Sequence, residues 1–135
     1  MNTRIVTTII GALTILLGVT ALVAPQFVMD RLVGFAVHPS FSANFVRGEV
    51  RAVYGGFLTV LGVLTALAAA DPGANRARIF RIGLLWLGVC GGRLVGVAVD
   101  GSPGLWGWLS AVVELAVGGL LIAAAQVSPA PAPET

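Results

Sequence analysis

The sequence predicts an all-α fold: an integral membrane four-helix bundle with short connections and one longer outer loop. Three observations predict it. The 135-residue chain is 57% hydrophobic and 10% charged, where soluble domains carry roughly 25% charged residues. Its mean hydropathy is +0.96. Four apolar runs, residues 5–24, 52–70, 82–99 and 105–125, are 18–21 residues long, and a bilayer core of about 30 Å takes roughly 20 helical residues. Ala, Gly and Leu fill these runs without alternation, which argues against strands.

Each element follows from local chemistry. The first run follows Arg4 and resembles a signal peptide, but it is longer than a signal core and Ala24-Pro25 is a poor cleavage site, so it is expected to be a retained helix. Pro25 ends it. The 26–44 segment is the longer connection, and "QFVMDRLVGF" places Phe27, Val28, Leu32 and Phe35 near helical spacing, as in a short surface helix broken at His38-Pro39-Ser40. Ser42 or Asn44 can cap a second helix over about 45–70. "DPGANRARIFR" is a turn leading into Arg76, Arg78 and Arg81 at the start of the third helix, and "DGSPG" turns the chain into the fourth. Residues 1–126 are read as one transmembrane domain, and residues 127–135 as a disordered Pro/Ala-rich tail.

Arg4 and the 76–81 arginines share one side, which predicts a multi-pass membrane protein with both termini cytoplasmic; the absence of lysine and the Ala/Val/Gly bias suggest a GC-rich bacterial genome, and so the bacterial inner membrane. Arg31, Arg47 and Arg51 oppose that count. Trp86, Trp106 and Trp108 suit interfacial belts. The net charge of +2 is scattered along apolar segments, so a nucleic-acid partner is not expected, and the bilayer is the expected surrounding.

The ionisable residues inside apolar runs carry the functional signal, because a lone charge in a bilayer core costs roughly 2.5–3.5 kcal/mol on insertion scales. Arg93 lies about 10 Å below the Asp100 end of its helix, and Glu114 about 15 Å beyond Gly104 on the next. The intervening turn makes these helices antiparallel neighbours, so Arg93 and Glu114 can meet. Arg51 enters from the same side, and Tyr54 follows it by three residues on one helix face. The candidate ligand-binding cluster is Glu49, Arg51, Tyr54, Arg93 and Glu114; a structural polar knot fixing helix register is the alternative. Asp100 reads as a turn residue.

Other chemistry is thin. Cys90 is the only cysteine and His38 the only histidine, so neither a disulfide nor a metal centre is expected, nor any cofactor. Gly88, Gly92 and Gly96 are predicted to form a packing face on the third helix, with Gly55, Gly56 and Gly62 doing the same on the second. A glycine-rich nucleotide loop is excluded, because no strand precedes these glycines. "GALTILLGVTAL" (11–22) faintly echoes "GFLTVLGVLTAL" (56–67).

In "GEVRAVYGG" (48–56), Glu49, Arg51, Ala52, Tyr54, Gly55 and Gly56 resemble the E-x-R-A-x-Y-G-G signature of the domain-of-unknown-function family numbered 4345. "GRLVGVAVDG" (92–101) followed by Glu114 is similar to that family's second block, and the resemblance spans roughly residues 5–125. It implies a small bacterial four-helix membrane protein, more loosely similar to the DoxX-like group, and places Glu49, Arg51, Tyr54, Arg93 and Glu114 in one pattern. It implies no activity. Three functions stay open: a non-enzymatic protein binding a small hydrophobic or amphiphilic ligand, a structural subunit in a homo-oligomer or larger membrane complex, and a membrane enzyme using Glu114 or Glu49 as acid or base. The first is preferred and the enzyme least, so no catalytic residue is assigned.

Overall fold

The computed structural model describes residues 2–30 and 43–127. The described residues form helices α1 (Thr3–Val23), α2 (Pro25–Val28), α3 (Ala43–Ala68), α4 (Arg76–Asp100) and α5 (Gly104–Val127), with no strand among them. The fold is all-α, as the composition predicts. Helices α1, α3, α4 and α5 are each long and apolar enough to cross a membrane. The remainder of the predicted surface helix, with His38, Pro39, Ser40 and the proposed cap Ser42, lies outside the described residues, as does the tail 128–135.

The helix ends follow local rules. The Asn2 side-chain oxygen accepts from the backbone N–H of Ile5 at 3.3 Å and caps α1. Pro25 stops α1 at Val23 and then opens α2, where a missing N–H costs nothing. Asn44 lies inside α3 rather than ahead of it, so it is no cap; its side chain instead accepts from Arg47 Nη1 at 3.4 Å. The turn before α4 is held by Asp71, whose carboxylate accepts from Ala74 N at 3.1 Å and whose carbonyl accepts from Asn75 Nδ2 at 2.9 Å. Gly101 (φ +93°) and Gly104 (φ +71°) adopt the left-handed backbone that reverses the chain between α4 and α5.

Helix α3 is not uniform. Ala43–Glu49 is α-helical, Val50–Phe57 is π-helical, and Leu58–Ala68 is α-helical again. The wider stretch coincides with paired Gly55 and Gly56, which impose little backbone preference. It ends where Thr59 Oγ1 donates to the Gly55 carbonyl at 2.7 Å.

The chain divides into two compact units, one of residues 11–64 and one of residues 2–10 with 65–127. In the first, α1 and α3 approach closely at glycines. A Cβ on Gly62 would stand 2.6 Å from Ile15 N and 2.9 Å from the Gly11 carbonyl oxygen. Gly18 lies against the Thr59 backbone, and Gly55 against Leu22. Ala21, Val28, Met29 and Val50 form a buried cluster beside them, with Val46 and Tyr54 packed on it.

In the second unit α4 and α5 form an antiparallel hairpin. Gly83 meets Gly118 and Ile122, Leu87 meets Gly118, Cys90 meets Ala111 and Arg93 meets Glu114. Ile79, Ile82, Leu121, Ala124 and Ala125 are buried here, and Thr3 Oγ1 on the first turn of α1 donates to the Ala124 carbonyl at 3.2 Å.

Two expectations are corrected. Gly88, Gly92 and Gly96 do not pack a helix within the described structure, since a Cβ at each would meet nothing within 4 Å; the close-packing pair of the hairpin is Gly83 and Gly118. Gly56 likewise has room for a Cβ, 3.8 Å from the Arg51 carbonyl oxygen. Four-residue spacing identified a smooth helix face but not whether a neighbour covers it. Trp86, read as an interfacial aromatic, is buried at 8% exposure, whereas Trp106 and Trp108 are exposed.

Gly62→Ala should lower stability by about 1–3 kcal/mol, because two of the obstructing atoms, Ile15 N and the Gly11 carbonyl oxygen, belong to backbone that cannot swing aside. Gly88→Ala should change it by no more than about 1 kcal/mol, in either direction. Thermal unfolding of both variants in one detergent checks the contrast.

Candidate functional site

The antiparallel register of α4 and α5 sets Arg93 opposite Glu114. Arg93 Nε donates to Glu114 Oε2 at 3.1 Å, and Nη2 donates to Oε1 at 2.5 Å. The planar guanidinium thus meets the planar carboxylate through two parallel bonds, the arrangement in which this pairing is strongest. The Glu114 side chain is 8% exposed and that of Arg93 25%. The carboxylate is therefore enclosed by the hairpin, while the arginine spans from interior to surface.

The same face of α4 continues inward from this pair. Trp86, Cys90 and Arg93 stand at i, i+4 and i+7, which stacks them on one side of the helix. The buried Cys90 thiol donates to the Ala111 carbonyl at 3.5 Å. The Trp86 indole N–H is buried and has no hydrogen-bond partner among the described residues. An unmet buried donor costs roughly 1–3 kcal/mol. Trp86 and Cys90 were not among the predicted site residues, although their spacing from Arg93 was visible in the sequence.

The other candidates belong to residues 11–64, and each has its own setting there. Arg51 Nε donates to the Leu22 carbonyl at 3.1 Å. Leu22 is next to last in α1, so this carbonyl is one that the helix leaves without an intrahelical donor, and a cation there also complements the helix dipole. Tyr54 is half-buried against the Ala21–Val28–Met29–Val50 cluster. Glu49 is exposed. Nearby, Arg47 Nε donates to Gln26 Oε1 at 3.2 Å, and Gln26 Nε2 donates to Asp30 at 2.8 Å. Asp100 is exposed at the end of α4, as expected of a turn residue. Among the described residues, no three His, Cys, Asp or Glu side chains come together as metal ligands.

The chain belongs to the family described as Domain of unknown function (DUF4345), whose model it matches over residues 2–125. No curated protein and no solved structure matches it.

The Arg93–Glu114 contact makes a direct energetic prediction. Arg93→Leu should destabilise the protein by about 3–5 kcal/mol, by leaving the buried Glu114 carboxylate without its cation, and Glu114→Leu should cost less, because Arg93 reaches the surface. The double replacement should recover much of that loss. A double-mutant cycle on thermal or denaturant unfolding measures the coupling, and strictly additive losses would exclude it.

Proposed function

We propose that this is a multi-pass protein of the bacterial inner membrane, with both termini cytoplasmic, that binds a small or amphiphilic ligand at the polar face of the α4–α5 hairpin. The site consists of Arg93, Glu114, Cys90 and Trp86. The observation that carries this reading is the buried, unpartnered indole N–H of Trp86 on the same helix face as the ion pair. A structural knot satisfies its own members. An unmet donor beside one fits a missing acceptor oxygen, supplied by a ligand. Arg93, which reaches the surface, gives that ligand a polar end to meet.

The membrane reading rests on four helices of spanning length and on the arginines at 76, 78 and 81, which favour the cytoplasmic side. A second reading, an accessory subunit docking through α4, is favoured by the open surface at Gly88, Gly92 and Gly96.

Two experiments test these proposals. In a Cys90→Ala background, a membrane-impermeant thiol reagent on intact cells should label Ser102→Cys and not Asn75→Cys. The reverse pattern would overturn the orientation, and labelling of both would overturn the span between them. For the site, Trp86→Phe removes the donor and keeps an aromatic ring, though a smaller one. Relief of the unmet donor, about 1–3 kcal/mol once ligand is stripped, offsets the packing lost with the larger ring, so the variant should fold about as stably as the parent. It should also lose the small molecule detected by mass spectrometry in the protein purified in mild detergent, as should the Arg93→Leu/Glu114→Leu double variant. Equal recovery of the same molecules from all three proteins, or none from the parent, would leave the polar face as scaffold.

A further inference from the structure

We infer that the open end of the α4–α5 hairpin is a binding site for the phosphate headgroup of an anionic membrane lipid, separate from the polar face above. A cleft of 390 Å³ lies there, lined by Arg76, Ala77, Phe80 and Arg81 of α4 and by Ala125 and Gln126 of α5. Arg76 and Phe80 stand at i and i+4, and so do Ala77 and Arg81. One face of a single helix thereby presents two guanidinium groups beside an aromatic ring. Neither guanidinium has an ion-pair partner among the described residues. Two uncompensated cations within one concave site select an anion, and guanidinium matches phosphate through paired N–H donors. The Gln126 amide adds a further donor at the rim.

The rest of the cleft indicates an amphiphile. Ala77, Phe80 and Ala125 make its floor apolar, and Phe80 is exposed although no charge or partner requires it to be. One turn further along the same face, Leu84 is exposed as well. No charged residue then follows on α4 until Arg93. A phosphate held by Arg76 and Arg81 would therefore have an apolar track leading away from it, which suits an acyl chain and serves no purpose for a free inorganic ion. Arg78 is exposed and not part of the cleft. The ordinary attraction of cationic residues to anionic lipid surfaces would use all three arginines alike; the cleft distinguishes two from the third.

The site rests on the membrane reading proposed above, but not on the ligand at Trp86 and Arg93. Arg81 and Arg93 are about 18 Å apart along the helix axis, so the two sites can be tested independently.

The experiment is native mass spectrometry of the full chain in detergent, titrated with phosphatidylglycerol or phosphatidylcholine. Phosphatidylglycerol should be retained in preference. Arg76→Gln/Arg81→Gln should reduce that retention by roughly thirtyfold, the combined effect of two arginines at a lipid surface. Arg76→Gln and Arg81→Gln singly should each lower it by about fivefold or more, whereas Arg78→Gln, which removes one charge outside the cleft, should keep most of it. All three substitutions are at exposed positions, and an unchanged melting temperature confirms that the variants are folded. The Arg93→Leu/Glu114→Leu variant should retain the lipid like the parent, so failure of the other site would not touch this one. Equal retention of the two lipids by the parent would overturn the inference, as would a loss in Arg78→Gln equal to that in either single cleft variant. Complete displacement of phosphatidylglycerol by millimolar inorganic phosphate would reassign the cleft to a free anion.

Discussion

The hairpin of α4 and α5 depends on one interaction, the two-bonded contact between Arg93 and Glu114. Each residue interrupts a helix that is otherwise apolar over most of its length, and each alone would be a large penalty in an apolar environment. Together they are neutral, and each supplies the other's hydrogen bonds. The contact also fixes register. With Arg93 set against Glu114, Cys90 falls on Ala111, and Gly83 falls on Gly118, where two helix backbones can come together. A shift of one residue would separate the charges and bring side chains onto the glycines at once. The ion pair supplies directionality that dispersion between Leu and Val side chains lacks.

Residues 11–64 solve the same problem of helix association by different means. Their close approach uses glycine and threonine, with Gly62 on Ile15 and Gly11, and Gly18 on Thr59. Their charge is placed at a helix end, where Arg51 meets a carbonyl that α1 cannot satisfy. The segment from Glu49 to Gly56 thus has a physical account for three of its residues. Arg51 closes the end of α1, Tyr54 covers the neighbouring apolar cluster, and Gly55 admits Leu22. The segment winds as a π-helix, which changes the angular spacing between these three residues from that of an α-helix. Two adjacent glycines and the Thr59 hydroxyl make that winding tolerable. Glu49, exposed at the edge of the segment, has no such account.

Much of this was legible in the sequence. The four spanning-length helices follow from run length and composition alone, and the Arg93–Glu114 contact follows from counting residues back from a tight Gly-Pro turn. Both depend on quantities local to the chain. What was not legible depends on neighbours. The Gly88–Gly92–Gly96 spacing is as regular as any packing motif, yet within the hairpin the glycines in close contact with the facing helix are Gly83 and Gly118, separated by the whole hairpin turn. Trp86 looked like an interfacial ring because tryptophan near a helix start often is one, but the helix rotation that puts Arg93 inward carries Trp86 inward with it, seven residues away on the same face. The π-helical stretch escaped for a related reason: it lies in backbone hydrogen-bond geometry, and the side-chain pattern over 50–57 reads equally well as α-helix.

That shared rotation also explains why the Trp86 indole is buried. Once Arg93 must face Glu114, residues 90 and 86 have no choice of direction. Position 90 is filled by a small thiol whose donor finds the Ala111 carbonyl. Phe or Leu at position 86 would bring no polar atom to satisfy, at the cost of a smaller side chain in a buried place. Tryptophan there brings a donor into a setting where the described residues offer it no acceptor. The cost of an unmet N–H is comparable to that of a sizeable core defect, and nothing in the hairpin's geometry requires it. In the reading proposed above its acceptor comes from outside the chain, and the partly exposed guanidinium of Arg93 stands two turns away on the same face.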